Sequence, residues 1–83
     1  MGDEPDGVVV HYYDRIGVAV INLSKGQLSL GDKIRIEIRD GEFEQAIESM
    51  EINKERVETV KPGDDFALKV DQPVREGDKI YKL

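Results

Sequence analysis

Three times in this chain a Gly-Asp pair stands directly before a run that alternates apolar and polar side chains: SLGDKIRI, KPGDDFAL and REGDKIYK. Alternation with a period of two is the mark of a β-strand, whose successive side chains point to opposite faces; a helix would scatter those apolar residues around its axis. Each pair therefore reads as the turn that starts a strand. Glycine permits the positive φ that a tight turn needs, and aspartate accepts hydrogen bonds from neighbouring amides. Gly31, Asp32, Gly63, Asp64, Gly77 and Asp78 are expected to be structural turn residues and not members of one acidic site.

The remaining segments follow the same logic. Residues 8–13 (VVVHYY) and 16–23 are rich in β-branched and aromatic side chains and lie close enough to pair as a hairpin turning at Asp14-Arg15. SKGQLSL reads as a loop. Residues 33–38 place Ile34, Ile36 and Ile38 on one face and Lys33, Arg35 and Glu37 on the other. Asp40-Gly41 is a type I′ hairpin signal, and with those two residues at its centre Ile38 faces Phe43, Ile34 faces Ile47, and Glu37 opposes Glu44 unless Arg35 relieves the repulsion. Apolar residues then change from odd positions (Phe43, Ile47) to even ones (Met50, Ile52), which requires a β-bulge near Glu48-Ser49. NKERVETV reads as a connecting loop whose Val57 and Val60 plug the core. Pro62-Gly63 suits a type II turn ahead of a fifth strand with Phe66, Leu68 and Val70, Pro73 ends pairing, and residues 79–83 form a sixth strand.

Six short strands without a helix predict an all-β fold, a single small six-stranded antiparallel β-barrel, because closure removes exposed edges from a chain too small to cover them. Its 83 residues suffice for one domain, placed at 7–83 after a disordered lead-in over 1–6 (MGDEPD). Without cysteine the chain has neither a disulfide framework nor a thiolate metal site, so packing must hold it together, and a cytoplasmic location is compatible. The longest apolar run covers only residues 18–21, so no membrane association is expected. A net charge of −6 disfavours broad attraction to phosphate backbones.

In order, GVVVHYY, GVAV, KGQLSLGDKIRI, IESMEI, VETVKPGDDFALKV and VREGDKIYKL resemble the second domain (domain II), a β-barrel, of translation GTPases such as elongation factor Tu and initiation factor 2. The matching positions are Gly7, Gly17, Gly26, Gly31-Asp32, Ser49-Met50, Gly63-Asp64 and Gly77-Asp78, while the INLSKG connection is longer than in that family. The resemblance implies a non-catalytic, monomeric, cytoplasmic module associated with translation that contacts ribosomal RNA, tRNA or a protein. No G-x-x-x-x-G-K-[ST] loop is present, so no GTP binding is expected, and Asn53-Lys54-Glu55-Arg56 departs from the guanine-reading N-K-x-D at Arg56. The peptidase-like enzymes of tRNA modification carry a similar barrel as a C-terminal accessory domain, and such a role is the alternative.

Two groups of residues are candidates for contacting RNA or a partner. His11, Tyr12, Tyr13 and Arg15 could stack bases and take a phosphate, against the plainer reading of strand residues with alternate members buried. Lys25, Lys33, Arg35 and Arg39 could form a basic strip, against the plainer reading of a charge-paired face neutralised by Glu42, Glu44 and Glu48. His11 is the single histidine and shows no catalytic partner in sequence, so no catalytic residues and no enzyme activity are expected. Asp64, Asp65, Asp71 and Asp78 lack EF-hand spacing, so neither a metal site nor any cofactor is expected.

Overall fold

The computed structural model describes residues 4–83, and every regular element among them is a strand. In chain order these are β1 (Gly7–Tyr13), β2 (Val18–Leu23), β3 (Leu28–Ser29), β4 (Lys33–Ile38), β5 (Gly41–Ala46), β6 (Met50–Ile52), β7 (Glu55–Val57), β8 (Thr59–Val60), β9 (Asp65–Lys69) and β10 (Lys79–Lys82). An antiparallel eight-stranded sheet runs β5-β4-β10-β1-β2-β9-β6-β7, and β3 with β8 forms a two-stranded sheet. The all-β expectation is met with ten strands in place of six. Ladder pairing does not return from β7 to β5 to complete a ring.

Alternation decides which residues go inside. Ala19, Ile21 and Leu23 on β2, Ile34 and Ile36 on β4, Phe66 and Leu68 on β9, and Ile80 on β10 are almost wholly buried. Leu28 and Val60 are paired across the small sheet and buried as well, so the two segments expected as loops, SKGQLSL and NKERVETV, instead supply β3 and β7–β8, with the anticipated Val60 plug. The lead-in expected over 1–6 lies outside the described residues at 1–3. Its last residue, Asp6, is tied in: its amide donates to the Ile80 carbonyl (2.8 Å), its carbonyl accepts from the Ser24 amide (2.7 Å), and its carboxylate accepts from the Lys82 amide (2.7 Å).

The β4–β5 hairpin differs from the sequence reading by two residues. Ile38 pairs with Gly41, so Arg39-Asp40 is the turn, Ile36 faces Phe43, and Ile34 faces Gln45. Type I′ backbone appears instead at Asn53-Lys54, where both φ angles are positive (53° and 69°) between paired Ile52 and Glu55. A two-residue slip leaves every side chain on its original face, so the alternation alone does not select between the two registers. The like-charge pair becomes Glu37 opposite Glu42, and Arg35 reaches both at 3.9 Å while lying 4.6 Å over the Tyr81 ring.

Regular strand is interrupted over residues 47–49, where the parity of apolar residues switches, although the Ile47 amide still donates to the Asp32 carbonyl (2.8 Å) and its carbonyl accepts from the Gly31 amide (2.9 Å). There the chain changes partner: β5 pairs with β4, whereas β6 pairs with β9. Gln45 bridges the resulting gap. Its Nε2 donates to the Lys69 carbonyl (2.9 Å) and its Oε1 accepts from the Asp71 amide (2.8 Å), so one side chain substitutes for the ladder bonds missing between β5 and the end of β9.

Two features of β1 and β2 were not expected. Val10 is an extra residue, since Val9 pairs with Ile21 but His11 pairs with Val20. β2 begins at Val18, not at residue 16, because residues 14–17 form the connection, closed by the Gly17 amide on the Tyr13 carbonyl (2.9 Å) with Gly17 at φ 67°.

Candidate functional site

The three Gly-Asp pairs adopt one geometry. In each, the aspartate amide donates to the carbonyl three residues earlier, and its Oδ2 accepts from that same residue's amide: Asp32 with Ser29 (3.1 and 2.9 Å), Asp64 with Lys61 (3.0 and 3.0 Å), Asp78 with Arg75 (3.1 and 2.8 Å). The intervening glycines have φ of 91°, 94° and 94°, as the third position of a type II turn requires. Among the described residues no three His, Cys, Asp or Glu side chains gather as a metal site. These carboxylates serve the backbone by accepting, which an amide oxygen also does. Asp64→Asn is therefore expected to change stability by under about 0.5 kcal/mol, and Asp64→Ala to cost about 1 kcal/mol. Equal losses in thermal unfolding would show that charge, not the acceptor, matters.

The four expected basic-strip residues come together only in part. Arg35 is engaged by Glu37, Glu42 and Tyr81. Lys25 and Arg35 border one depression, shared with Glu4, Asp6, Tyr81 and Lys82, and Arg39 borders another shared with Pro73, Val74 and Arg75. Lys33 lies opposite Ala46 on β4.

His11, Tyr12, Tyr13 and Arg15, by contrast, come together. With Asp14 and Ile16 they line a shallow groove of about 380 Å³ at the β1–β2 connection. The bulge at Val10 resets the strand so that Tyr12 packs against the core opposite Ala19, while His11 and Tyr13 stand on the outer face. Their rings meet edge to face, centroids 4.3 Å apart at 69°, and His11 Nδ1 lies 3.5 Å from Glu76 Oε2. Val18 and Val20, directly opposite Tyr13 and His11, share that outer face, and Ala67 continues it across β9. β2 is thus apolar on both sides as far as Ile21, beyond which Asn22 bonds Asp65 on the outer face. Two large hydrophobic side chains that line the groove are exposed, Tyr13 at 50% and Ile16 at 62%, and Val10 on β1 is exposed at 43%. Sequence reasoning picked out the aromatics but missed Val10, Ile16 and the outer valines. Its available signal was the unbroken run over 18–21, which strict one-sided alternation does not explain.

No family model matches the chain. In sequence it is 40% identical over 78 residues to an uncharacterized protease of Methanocaldococcus jannaschii, a match covering 93% of this chain and 19% of that protein. It is 31% identical over 78 residues to a collagenase of Porphyromonas gingivalis, covering 93% of this chain and 22% of that protein. The chain thus spans about a fifth of the length of the curated relatives it matches. In structure it is similar to the C-terminal domain of a Geobacillus thermoleovorans protein described as a U32 peptidase, with a TM-score of 0.88 and 20% identity, covering 96% of this chain and 92% of that one. The selenomethionine form of that domain gives 0.87.

These matches correct the resemblance to translation-factor domain II and the elongation-factor and translation roles that came with it. The fold is shared with a peptidase C-terminal domain, and the sequence matches are to a protease and to collagenase. The misleading positions, Gly17, Gly31-Asp32, Gly63-Asp64 and Gly77-Asp78, are turn residues set by backbone geometry, which any sheet following this path needs whatever its lineage. No helix among the described residues is long and apolar enough to cross a membrane.

Proposed function

We propose that this chain is a non-catalytic accessory domain of a U32-type peptidase, holding protein substrate for a catalytic part that this fold does not supply. The observation that carries the proposal is the sequence match to a protease and to collagenase over only about a fifth of their length. The side chains support it. His11 is engaged by Glu76 and Tyr13 on an exposed strand surface, and the Ser24 and Ser29 hydroxyls are taken up by the Asp6 carbonyl and by Thr59. A serine and a histidine engaged in this way are not paired as a nucleophile and its general base. In this role the sheet acts as a closed barrel, Gln45 serving as the seam, and the domain works as a cytoplasmic monomer whose partner is protein, with collagen-like chains among its substrates.

The test is the M. jannaschii relative made with and without the segment that matches this chain. Loss of the segment is expected to lower kcat/KM on a denatured protein at least about tenfold through KM, with hydrolysis of a short peptide unchanged. Inserting the present chain in place of the segment should restore the protein substrate. Equal loss on both substrates, or no loss on either, would falsify the accessory role.

A further inference from the structure

We propose that the groove at the β1–β2 connection binds a proline-rich peptide in the polyproline II conformation, carrying a basic residue at one end. This rests on the substrate-holding reading above and names its site and ligand.

Exposed apolar side chains set the location. Of the five large hydrophobics exposed among the described residues, Tyr13 and Ile16 line the groove, Val10 stands three residues before Tyr13 on β1, and the outward Val18, Val20 and Ala67 lie opposite on the neighbouring strands. Contiguous apolar surface of this kind marks a binding site more than a chance exposure.

The backbone then limits the ligand. β2 is paired on both sides, with β1 and β9, so it has no free edge to which a strand could add. Ladder pairing of β1 with β10 stops at Val8, and the short stretch beyond it is bulged at Val10, which protects it from templating another strand. The peptide must therefore bind through side chains and isolated hydrogen bonds. A polyproline II segment suits this, because it makes no internal hydrogen bonds, keeps its carbonyls available, and is already rigid before binding. Aromatic-lined grooves recognise such segments by packing rings against prolines while nearby donors meet the carbonyls. Here the edge-to-face His11–Tyr13 pair supplies the ring surfaces, and the tyrosine hydroxyls and the Arg15 guanidinium supply donors.

Charge sets the direction. Asp14 and Arg15 offset each other within the groove, but Glu76 sits 3.5 Å from His11 and the whole chain carries −6, so a ligand with a lysine or arginine at the His11 end is attracted where a phosphate backbone is repelled.

The experiment uses the ¹⁵N-labelled chain. It is titrated in turn with an oligoproline peptide ending in arginine, a Gly-Ser peptide of equal length and charge, single-stranded RNA, and gelatin. Saturable shifts confined to the amides of residues 10–20 are expected with oligoproline and gelatin. Tyr13→Ala should weaken oligoproline at least about tenfold with an unchanged Tm, since that ring is half exposed. A silent groove, equal binding of Gly-Ser, or shifts caused by RNA alone overturns the site. Gelatin that binds and shifts amides elsewhere removes this site but leaves the substrate-holding role intact. Activity of the M. jannaschii relative that does not depend on its matching segment removes the role itself.

Discussion

Phe66→Ala is expected to destabilise the domain by about 3–5 kcal/mol, the usual loss for a buried phenylalanine. The ring is 99% buried, as its 1% relative exposure states, and its strand β9 lies between β2 and β6, so no loop can move in to fill the space. Small domains are stable by only about 5–15 kcal/mol, so this one side chain decides whether most molecules stay folded at physiological temperature. Circular dichroism should show Tm lowered by about 15 °C or more. A loss below about 1 kcal/mol would mean that the interior is not packed closely around the ring.

Gln45→Leu is expected to cost about 1–3 kcal/mol, although leucine fills a similar volume and is more apolar. Removing the amide leaves the Lys69 carbonyl without its donor and the Asp71 amide without its acceptor, at the place where β5 and β9 have no ladder bonds of their own. Gln45→Glu discriminates between mechanisms, because a carboxylate still accepts from the Asp71 amide but cannot donate to Lys69. It should fall between wild type and leucine. Hydrogen exchange gives a local readout: the Asp71 amide should exchange at least about tenfold faster in the leucine variant. If exchange at Asp71 is unchanged, Gln45 is not the seam.

Much of this architecture was legible because the constraints behind it are local. Ile34 and Ile36 alternate with Lys33 and Arg35, and a pleated strand must sort them to opposite faces. Gly-Asp at 31–32, 63–64 and 77–78 announced turns because few residues tolerate positive φ. The switch from Phe43 and Ile47 to Met50 and Ile52 marked the right place, but a change of partner strand from β4 to β9 stands there in place of the expected bulge. The aromatic cluster was visible as residues, and its members are neighbours on one strand and the connection after it.

Other features depended on partners far away in sequence. The hairpin register moved from Asp40-Gly41 to Arg39-Asp40, a change that keeps each residue on its face and so leaves no trace in the alternation. The bulge at Val10 exists because β1 must follow β2 along one stretch and meet Gly77 and Asp78 along another. The basic strip is interrupted at Arg35, which meets Glu37 on its own strand, Glu42 on β5 and Tyr81 on β10.

By itself the sequence determined that the chain is all-β, which side chains face inward, and where three of its turns fall, since these follow from the conformational preferences of a few consecutive residues. Only the tertiary structure decided the register, the role of Gln45 and the outward apolar face behind the groove. Each of these is a choice among backbone paths with the same local energy, and the choice is made by contacts between residues that the chain brings together from a distance.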